Sequence, residues 1–347
     1  SNAPVNSIMI PDYTMNLVKN SFEFIDNGEI EVKGKIEPIS VYIVKTKKDR
    51  KILHASPFIG RNEELTQLNK VYLKCNKYIK TGLIDKMTLV GMHSEAGVGK
   101  SRLIYEFLSD TVNLDVDLYS IGSCSNVSSQ PYNLFISLIK DSFGISILDN
   151  QKIIKDKIES GIHYLVSLNP SRDKQLHDSK VFLALLLGVR YDDERLNDKK
   201  EIVNHVRISI RIFIECLCSK ANKKNCAFII IMEDIHWIDN MSMQTLEYLL
   251  QTFNIQSKRD SSELAVPLFI CTHRTENPLN KEIVSNSVFI DTLLKPLEKD
   301  SSIELIELLT KDINLNDKKI IELYEKSNGN PFFIEDLGVR QSGDLDG

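Results

Sequence analysis

Apolar runs alternate with amphipathic stretches along most of the chain, from residue 58 to about residue 296. Five short apolar runs, bounded by charged or turn-forming residues, predict strands at 87–92, 115–121, 227–232, 268–272 and 288–293. Between them the apolar positions recur at helical spacing, as in 63–79 and 202–219. Strands that alternate with helices in this way predict a three-layer α/β/α fold with a mostly parallel sheet.

The two ends of the chain follow other patterns. Residues 30–44 alternate apolar and polar positions around Lys33-Gly34-Lys35, which predicts a short N-terminal β segment with a hairpin turn. From Leu297 onward the pattern is helical only and predicts a helical lid, in which Ser301 to Glu304 form a capping box that opens a helix over 303–310. The predicted segments are a tail at 4–44, a basic linker at 45–56, an α/β domain at 57–296, the lid at 297–338 and a second tail at 339–347.

Composition narrows the classes of function. The 347 residues carry a net charge of −5, which argues against a dedicated nucleic-acid-binding protein. No apolar run approaches the length that spans a bilayer, so we expect no transmembrane segment. No signal peptide is visible in the sequence, and the six cysteines do not have the spacing of a metal site. We therefore expect a reduced, cytoplasmic protein.

The chemistry is concentrated in the stretch GMHSEAGVGKSR, residues 91–102. It joins a predicted strand to a predicted helix and follows the G-x-x-x-x-G-K-[ST] spacing of a phosphate-binding loop (P-loop), with Ser94 in place of the first glycine. The later glycines let backbone N–H groups turn toward an anion, Lys100 can bridge the β- and γ-phosphates, and Ser101 offers a hydroxyl to Mg²⁺. Because serine is small, we expect it to permit nucleotide binding. The nucleotide-binding residues predicted in this loop are Ser94, Gly97, Val98, Gly99, Lys100, Ser101 and Arg102.

Two carboxylates follow the predicted strand 227–232. Glu233 occupies the position that usually orients Mg²⁺, and Asp234 the position that polarises the attacking water. The order Glu-Asp is the reverse of the commoner Asp-Glu, so the division of labour between the two stays open. With a P-loop before them, these carboxylates predict a P-loop NTPase fold.

Three further side chains lie near the predicted site. His236 is either a structural hydrogen-bond partner, the interpretation we favour, or a catalytic group, and Trp237, the only tryptophan, is expected to pack. Arg274 follows the strand 268–272, where an arginine can sense a γ-phosphate, although a surface arginine fits the spacing almost as well. The predicted catalytic residues are Lys100, Glu233, Asp234 and Arg274, and the predicted Mg²⁺ ligands are Ser101 and Glu233.

Together these motifs resemble the STAND class of AAA-related signal-transduction ATPases, over residues 58 to 337. Phe58-Ile-Gly-Arg-Asn-Glu-Glu-Leu65 is similar to the motif that lies near the adenine in this class, which implies a binding role for Arg61. Glu233-Asp-Ile-His-Trp-Ile-Asp239 matches the E-D-x-H-W-x-D form of the acidic motif. Leu294-Lys-Pro-Leu297 and Gly329-Asn-Pro331 resemble the junction and the G-x-P motif of the helical lid, and the resemblance implies that Pro331 contacts the adenine. ATP or ADP and Mg²⁺ are the implied cofactors.

The first segment resembles a different family. Val32-Lys-Gly-Lys-Ile-Glu-Pro-Ile-Ser-Val-Tyr42 is similar to the closing hairpin of class III nucleotide cyclase domains. This hairpin followed by an ATPase is the order of soluble adenylyl cyclases, so the resemblance implies a piece of a larger adenylate or guanylate cyclase, whose cyclase and C-terminal domains would be its partners. The segment holds no metal-binding aspartate pair, so we expect no cyclase activity from this chain.

The leading hypothesis is a nucleotide switch that hydrolyses ATP slowly. A non-hydrolysing nucleotide-binding scaffold for protein assembly is the alternative, and turnover with Mg²⁺ separates the two. A DNA-remodelling ATPase is disfavoured by the acidic net charge. A small-molecule kinase would need an acceptor pocket, which the helical insertion between Tyr132 and Asn225 could supply.

Overall fold

A computed structural model of the protein describes residues 8–12, 14–15, 22–30, 38–47, 56–81, 86–127, 130–256, 267–311 and 315–343. The chain divides into two compact units. The first comprises residues 1–57 with 146–150, and the second comprises 58–145 with 151–347.

The first unit contains a three-stranded antiparallel sheet. Its strands are β1 (Met9–Pro11), β2 (Phe22–Ile30) and β3 (Ile39–Lys47), in the order β1-β3-β2. Ile30 is paired with Ile39, so β2 and β3 flank the predicted turn at 33–35, which lies outside the described residues. β3 runs three residues past Val44, into the segment that the sequence pattern assigns to the linker.

The second unit is built on a five-stranded parallel sheet, and the α/β prediction is confirmed. The strands are β4 (Thr88–His93), β5 (Tyr119–Ser123), β6 (Phe228–Glu233), β7 (Pro267–His273) and β8 (Val288–Leu293), in the order β5-β6-β7-β4-β8. Every residue of β7 is buried. Because successive side chains of a strand point to opposite faces, this unbroken burial means that both faces of the sheet are covered.

One strand begins later than predicted, at Tyr119 instead of residue 115. Asp115 and Asp117 form a turn, and Lys224 holds both, with its Nζ 2.6 Å from the Asp115 carboxylate and 3.3 Å from that of Asp117. The two aspartates therefore form ion pairs with a lysine that is more than a hundred residues away, and the strand begins only after them.

Eleven α-helices, all in the described part of the second unit, surround and extend this sheet. They are α1 (Asn62–Thr81), α2 (Lys100–Val112), α3 (Asn133–Ser142), α4 (Gln151–Leu168), α5 (Asp173–Leu186), α6 (Lys199–Asn222), α7 (Asn240–Gln256), α8 (Lys281–Ser285), α9 (Lys299–Leu309), α10 (Asp317–Ser327) and α11 (Pro331–Gly343). Within the described ranges, none of them combines the length and the apolar character that crossing a membrane requires.

The last three helices, α9 to α11, form the predicted lid region with a small apolar core of their own, made by Leu297, Leu305, Ile306, Ile320, Leu323 and Ile334. The predicted capping box is wrong. α9 begins at Lys299, so Ser301 lies inside the helix and caps nothing. The neighbouring Ser302 is buried and donates its hydroxyl to the Leu297 carbonyl oxygen, 3.2 Å away, which fixes the start of the helix against the junction.

Candidate functional site

The loop between β4 and α2 has the backbone of an anion-binding site. Gly97 and Gly99 have φ values of +80° and +103°, a region that glycine enters without a steric penalty. They turn the chain into the first turn of α2, whose unpaired N–H groups and helix dipole favour negative charge. Val98 between them is buried and anchors the turn in the core.

Ser94 is more than a small residue in a glycine position. It is buried, and its φ lies outside the left-handed region, so serine fits the backbone there as expected. Lys100 Nζ donates to Ser94 Oγ at 3.0 Å, to the Ser94 carbonyl oxygen at 3.3 Å and to that of Glu95 at 3.1 Å. Within the described chain no carboxylate lies at ion-pair distance from this ammonium group, so its charge is left for an anionic ligand. The loop therefore fits a phosphate.

The acidic pair stands one strand away from the loop, because β7 lies between β4 and β6. Glu233 ends β6, and its carbonyl oxygen accepts the N–H of Cys124 at 2.9 Å. Asp234 adopts a left-handed conformation, with φ +54° and ψ +42°, and donates its N–H to Thr272 Oγ1 at 2.9 Å. A non-glycine residue held in this region costs on the order of 1–3 kcal/mol, and such residues concentrate at functional sites.

Charges from three elements meet beside the loop. Burial lowers the pKa of Lys100, Asp234 and Glu276 oppose that shift, and Arg274 adds to it. Arg274 Nη1 lies 3.7 Å from Glu276 Oε1. The structure thus brings together three of the four predicted catalytic residues, and it adds Glu276, which the sequence analysis did not single out.

Arg61 joins three parts of the second unit. Its Nη2 donates to the Val98 carbonyl oxygen at 3.2 Å and to that of Lys295 at 2.6 Å, and its Nη1 lies 3.1 Å from a carboxylate oxygen of Glu64. The guanidinium therefore connects the start of α1, the P-loop and the junction before the lid. It contacts the outer, carbonyl side of the loop.

The lid makes direct hydrogen bonds to the same loop. Asn330 Nδ2 donates to the Ala96 carbonyl oxygen at 3.0 Å, and the Phe332 N–H donates to that of Gly97 at 3.3 Å. Pro331, between these two residues, is the first residue of α11. The predicted adenine residue thus lies next in sequence to both residues that hold the loop.

The G-x-P motif also contacts the junction. The Leu297 N–H donates to the Gly329 carbonyl oxygen at 2.7 Å. Gly329 has φ +72°, and a Cβ there would lie 2.3 Å from the Leu297 carbonyl oxygen, so only glycine fits. The two lid motifs that are far apart in the sequence therefore form one structural joint.

The family of this domain is shown by its match to a known family. Residues 57–266, well over half of the chain, match the family model of the AAA ATPase domain. The chain belongs to the AAA ATPase domain family. A AAA ATPase domain is a nucleotide-binding domain and typically uses Mg²⁺, and the P-loop described above fits both.

Individual relatives of this AAA domain are distant. The curated "G-protein regulator 1" of Caenorhabditis elegans is 20% identical over 202 residues, which cover 56% of this chain and 37% of that protein. The chain thus spans just over a third of the length of that relative. Among solved structures, it is similar to the Aeropyrum pernix ORC2 protein in ADPNP–ADP complexes, with 11% identity, a TM-score of 0.45 and coverage of 83% of this chain and 64% of the other. It is also similar to the HORMA:CdnC:Trip13 complex of E. coli MS115-1, with 9% identity, a TM-score of 0.41 and coverage of 77% and 73%.

Two predicted loop residues of the AAA domain have different surroundings. Ser101, in the first turn of α2, is exposed. Arg102 has its Nη2 2.6 Å from Glu106 and its guanidinium 5.7 Å from the centre of the Phe58 ring. Arg102 therefore packs along its own helix and over the first residue of the adenine-side motif, and its contacts are not with the loop backbone.

The end of the acidic motif has a role that the sequence analysis missed. Asp239 accepts hydrogen bonds from the N–H groups of Tyr132, Asn133 and Ser242, at 2.9 to 3.0 Å, and from the Ser242 hydroxyl at 2.6 Å. One carboxylate thus caps the starts of α3 and α7. Two features of the sequence could have indicated this capping role: the second aspartate of the acidic motif, Asp239, and the turn residues before α3.

Trp237 packs against His236 and remains half exposed. Its side chain is 45% exposed, and its ring centre lies 5.1 Å from that of His236. The short 3₁₀ turn Ile235–Trp237 buries Ile235 instead and leaves the indole at the surface. Trp237 therefore covers one side of the imidazole beside the acidic pair.

Proposed function

We propose that this AAA domain is a nucleotide switch of the STAND class that binds ATP, hydrolyses it slowly and reports the bound nucleotide through its lid. The observation that carries the proposal is the pair of hydrogen bonds from Asn330 and Phe332 to the carbonyl oxygens of the P-loop. When peptide groups of the loop turn their N–H bonds toward a phosphate, the carbonyl groups of the same backbone must move with them. The lid is bonded to those carbonyl groups, so phosphate binding and lid position are coupled.

The residues of the loop and the sheet edge divide the work. Lys100 and the N–H groups of the loop bind the β- and γ-phosphates, and Arg274 senses the γ-phosphate. Ser101 and Glu233 hold Mg²⁺, which neutralises phosphate charge when it is bound. Asp234 aligns the attacking water. Arg61 and Pro331 stand at the adenine end.

The setting of the switch is inferred from the first segment. We infer that the chain is a piece of a multidomain signalling protein, an adenylate or guanylate cyclase, whose cyclase and C-terminal domains are the partners that read the lid. The cyclase-like motif at 32–42 supports this parent, and the curated relative is named a G-protein regulator. All six cysteines are free thiols, which supports a reducing, cytoplasmic setting. We infer no nucleic-acid partner, given the acidic net charge.

The test is calorimetric titration with ATP and ADP in the presence of Mg²⁺, followed by a phosphate-release assay. We expect both nucleotides to bind and phosphate to be released slowly. Replacing Lys100 with alanine should weaken ATP binding by about ten- to a hundredfold, since it removes a charge-assisted contact. Lys86→Ala is the matched control, because Lys86 stands before the other end of β4 and donates to the Ser285 carbonyl oxygen.

The outcomes separate the two hypotheses. Tight binding with no phosphate release would favour the non-hydrolysing scaffold. Equal ATP affinities for the wild type and Lys100→Ala would overturn the site itself. Hydrogen exchange of the lid that is identical with ATP and with ADP would overturn the switch while leaving the nucleotide site intact.

A further inference from the structure

A histidine that follows the acidic pair makes no side-chain hydrogen bond to any residue that the structure describes. Both ring nitrogens of His236 are buried, and none of the described residues lies within hydrogen-bonding distance of either. An unpaired buried polar atom destabilises a protein, so such atoms are found where a ligand or water completes their hydrogen bonds. The sequence pattern favoured a structural hydrogen bond from His236, and its side chain makes none to the described residues.

The imidazole interacts electrostatically with the charged groups around the P-loop. The groups that act on it electrostatically are Asp234, Arg274, Lys100 and Glu276, and they come from the end of β6, the segment after β7 and the start of α2. These are the same groups that surround the Lys100 ammonium. His236 and Lys100 therefore share the same charged surroundings.

Its position is fixed by the turn that carries it. The left-handed Asp234 starts the turn, the Trp237 N–H donates to the Asp234 carbonyl oxygen at 2.9 Å, and Ile235 is buried. The Trp237 ring lies against the imidazole at an interplanar angle of 45°. A rigid turn and an aromatic neighbour hold the imidazole in place before any ligand arrives.

Resting on the proposed function, we propose that His236 is a hydrogen-bonding residue for the terminal phosphate of a nucleoside triphosphate. A neutral imidazole has one donor and one acceptor. It can donate to a γ-phosphate oxygen and accept from the water beside that phosphate. Burial lowers the pKa of His236, and Lys100 and Arg274 lower it further against the opposing effect of the two carboxylates, which keeps the ring neutral near pH 7.

This role distinguishes ATP from ADP. The expected result of His236→Phe is a loss of about ten- to a hundredfold in affinity for ATPγS, the range for a hydrogen bond to a charged group, with ADP affinity changed by less than about twofold. His236→Gln keeps a donor and an acceptor and should recover most of the affinity. His163→Phe, at an exposed position of α4, is the matched control.

A second readout does not depend on turnover. Trp237 is the only tryptophan of the chain and touches the imidazole, so its fluorescence reports on this site alone. We expect ATPγS to change the emission and ADP to leave it nearly unchanged, and we expect His236→Phe to abolish that difference. Imidazole ¹⁵N shifts give the same test on the wild-type protein itself. The variant His236→Gln is needed only to assign the His236 signal.

Each outcome has one meaning. Equal ATPγS-to-ADP affinity ratios in the wild type and His236→Phe would overturn the role of His236 and leave the proposed function standing. An equal loss for both nucleotides would likewise overturn the contact with the terminal phosphate. A wild-type protein that binds neither nucleotide would overturn the proposed function itself.

Discussion

The side-chain amide of Asn330 lies 3.0 Å from the carbonyl oxygen of Ala96 and donates a hydrogen bond to it, which ties the lid to the P-loop. Asn330 is buried, and its Oδ1 also accepts the N–H of Phe332 at 3.1 Å. One amide group thus fixes the loop and the first turn of α11 together. The proposed coupling between nucleotide and lid therefore rests on this residue.

We expect Asn330→Ala to uncouple the lid from the nucleotide. The variant loses both hydrogen bonds, so ATP affinity should fall by about three- to tenfold, as for one or two neutral hydrogen bonds. Hydrogen exchange in α11 should no longer respond to ATP. Asn328→Gly is the control, because Asn328 has φ +48°, which glycine accepts, and its N–H donates within its own helix to the Tyr324 carbonyl oxygen. An exchange response in Asn330→Ala equal to that of the wild type would disprove the coupling.

Replacing Ser94 with glycine should strengthen ATP binding. In the structure the Ser94 hydroxyl accepts a hydrogen bond from Lys100, which must be broken before the ammonium can reach a phosphate. Removing a bond worth about 0.5–1.5 kcal/mol should raise affinity by about two- to tenfold. Ser94→Ala removes the hydroxyl but keeps the Cβ, so it should behave like the glycine variant in the same titration. Weaker binding in both variants would show that the hydroxyl helps to bind the nucleotide.

The two carboxylates should be separable by kinetics. Asp234→Asn keeps the left-handed backbone and the bond to Thr272, so it should bind ATP normally while phosphate release falls by about 10²–10⁴-fold, the usual contribution of a general base. Glu233→Gln should instead raise the Mg²⁺ concentration needed for binding. A Mg²⁺ titration of nucleotide binding beside single-turnover release measures both. The reversed pattern would exchange the two roles.

Gly329→Ala should destabilise the joint between the lid and the junction. The positive φ and the 2.3 Å approach to the Leu297 carbonyl oxygen cannot be relieved by a side-chain rotation. We expect a cost of about 1–3 kcal/mol, seen as a lower midpoint of thermal unfolding. Gly338→Ala lies within α11, where a Cβ meets Leu309 at an ordinary 3.5 Å, and should be neutral or stabilising. Equal midpoints for the two variants would contradict the proposed strain.

Asp239 should make stability depend on pH. Burial raises its pKa, but the hydrogen bonds from Ser242, Tyr132 and Asn133 outweigh burial and leave the pKa below the ordinary value. A carboxyl group whose pKa is lowered by folding stabilises the protein above its unfolded pKa of about 4 and loses that contribution as the pH falls. The difference in unfolding midpoint between the wild type and Asp239→Asn should therefore be largest above about pH 5 and shrink toward pH 3. A difference that is constant with pH would rule out this linkage.

Local patterns were enough to predict the sheet and the loop. The buried strands are unbroken apolar runs. The P-loop is a contiguous motif, and its glycines indicate where the backbone takes positive φ values. Sheet order was not predictable in this way, because nothing within β6 or β7 says that β7 lies next to the P-loop strand. The strand between the acidic pair and the loop is therefore known only from the structure.

The errors share a physical cause, which is contact with residues distant in the sequence. Asp115 and Asp117 look like the start of a strand until Lys224 is placed beside them. Glu276 joins the site only because β7, the strand before it, lies between β4, which leads into the P-loop, and β6, which leads into the acidic pair. None of these partners can be read from a window of neighbouring residues.

The contacts of Arg61 with Lys295 and of Ala96 with Asn330 each join residues that are 234 positions apart. During synthesis the P-loop leaves the ribosome long before either partner has been translated. A nascent chain therefore carries the glycines and the lysine of the loop without the two clamps on its carbonyl groups. The clamped form of the loop seen in the structure can therefore arise only after α11 has emerged.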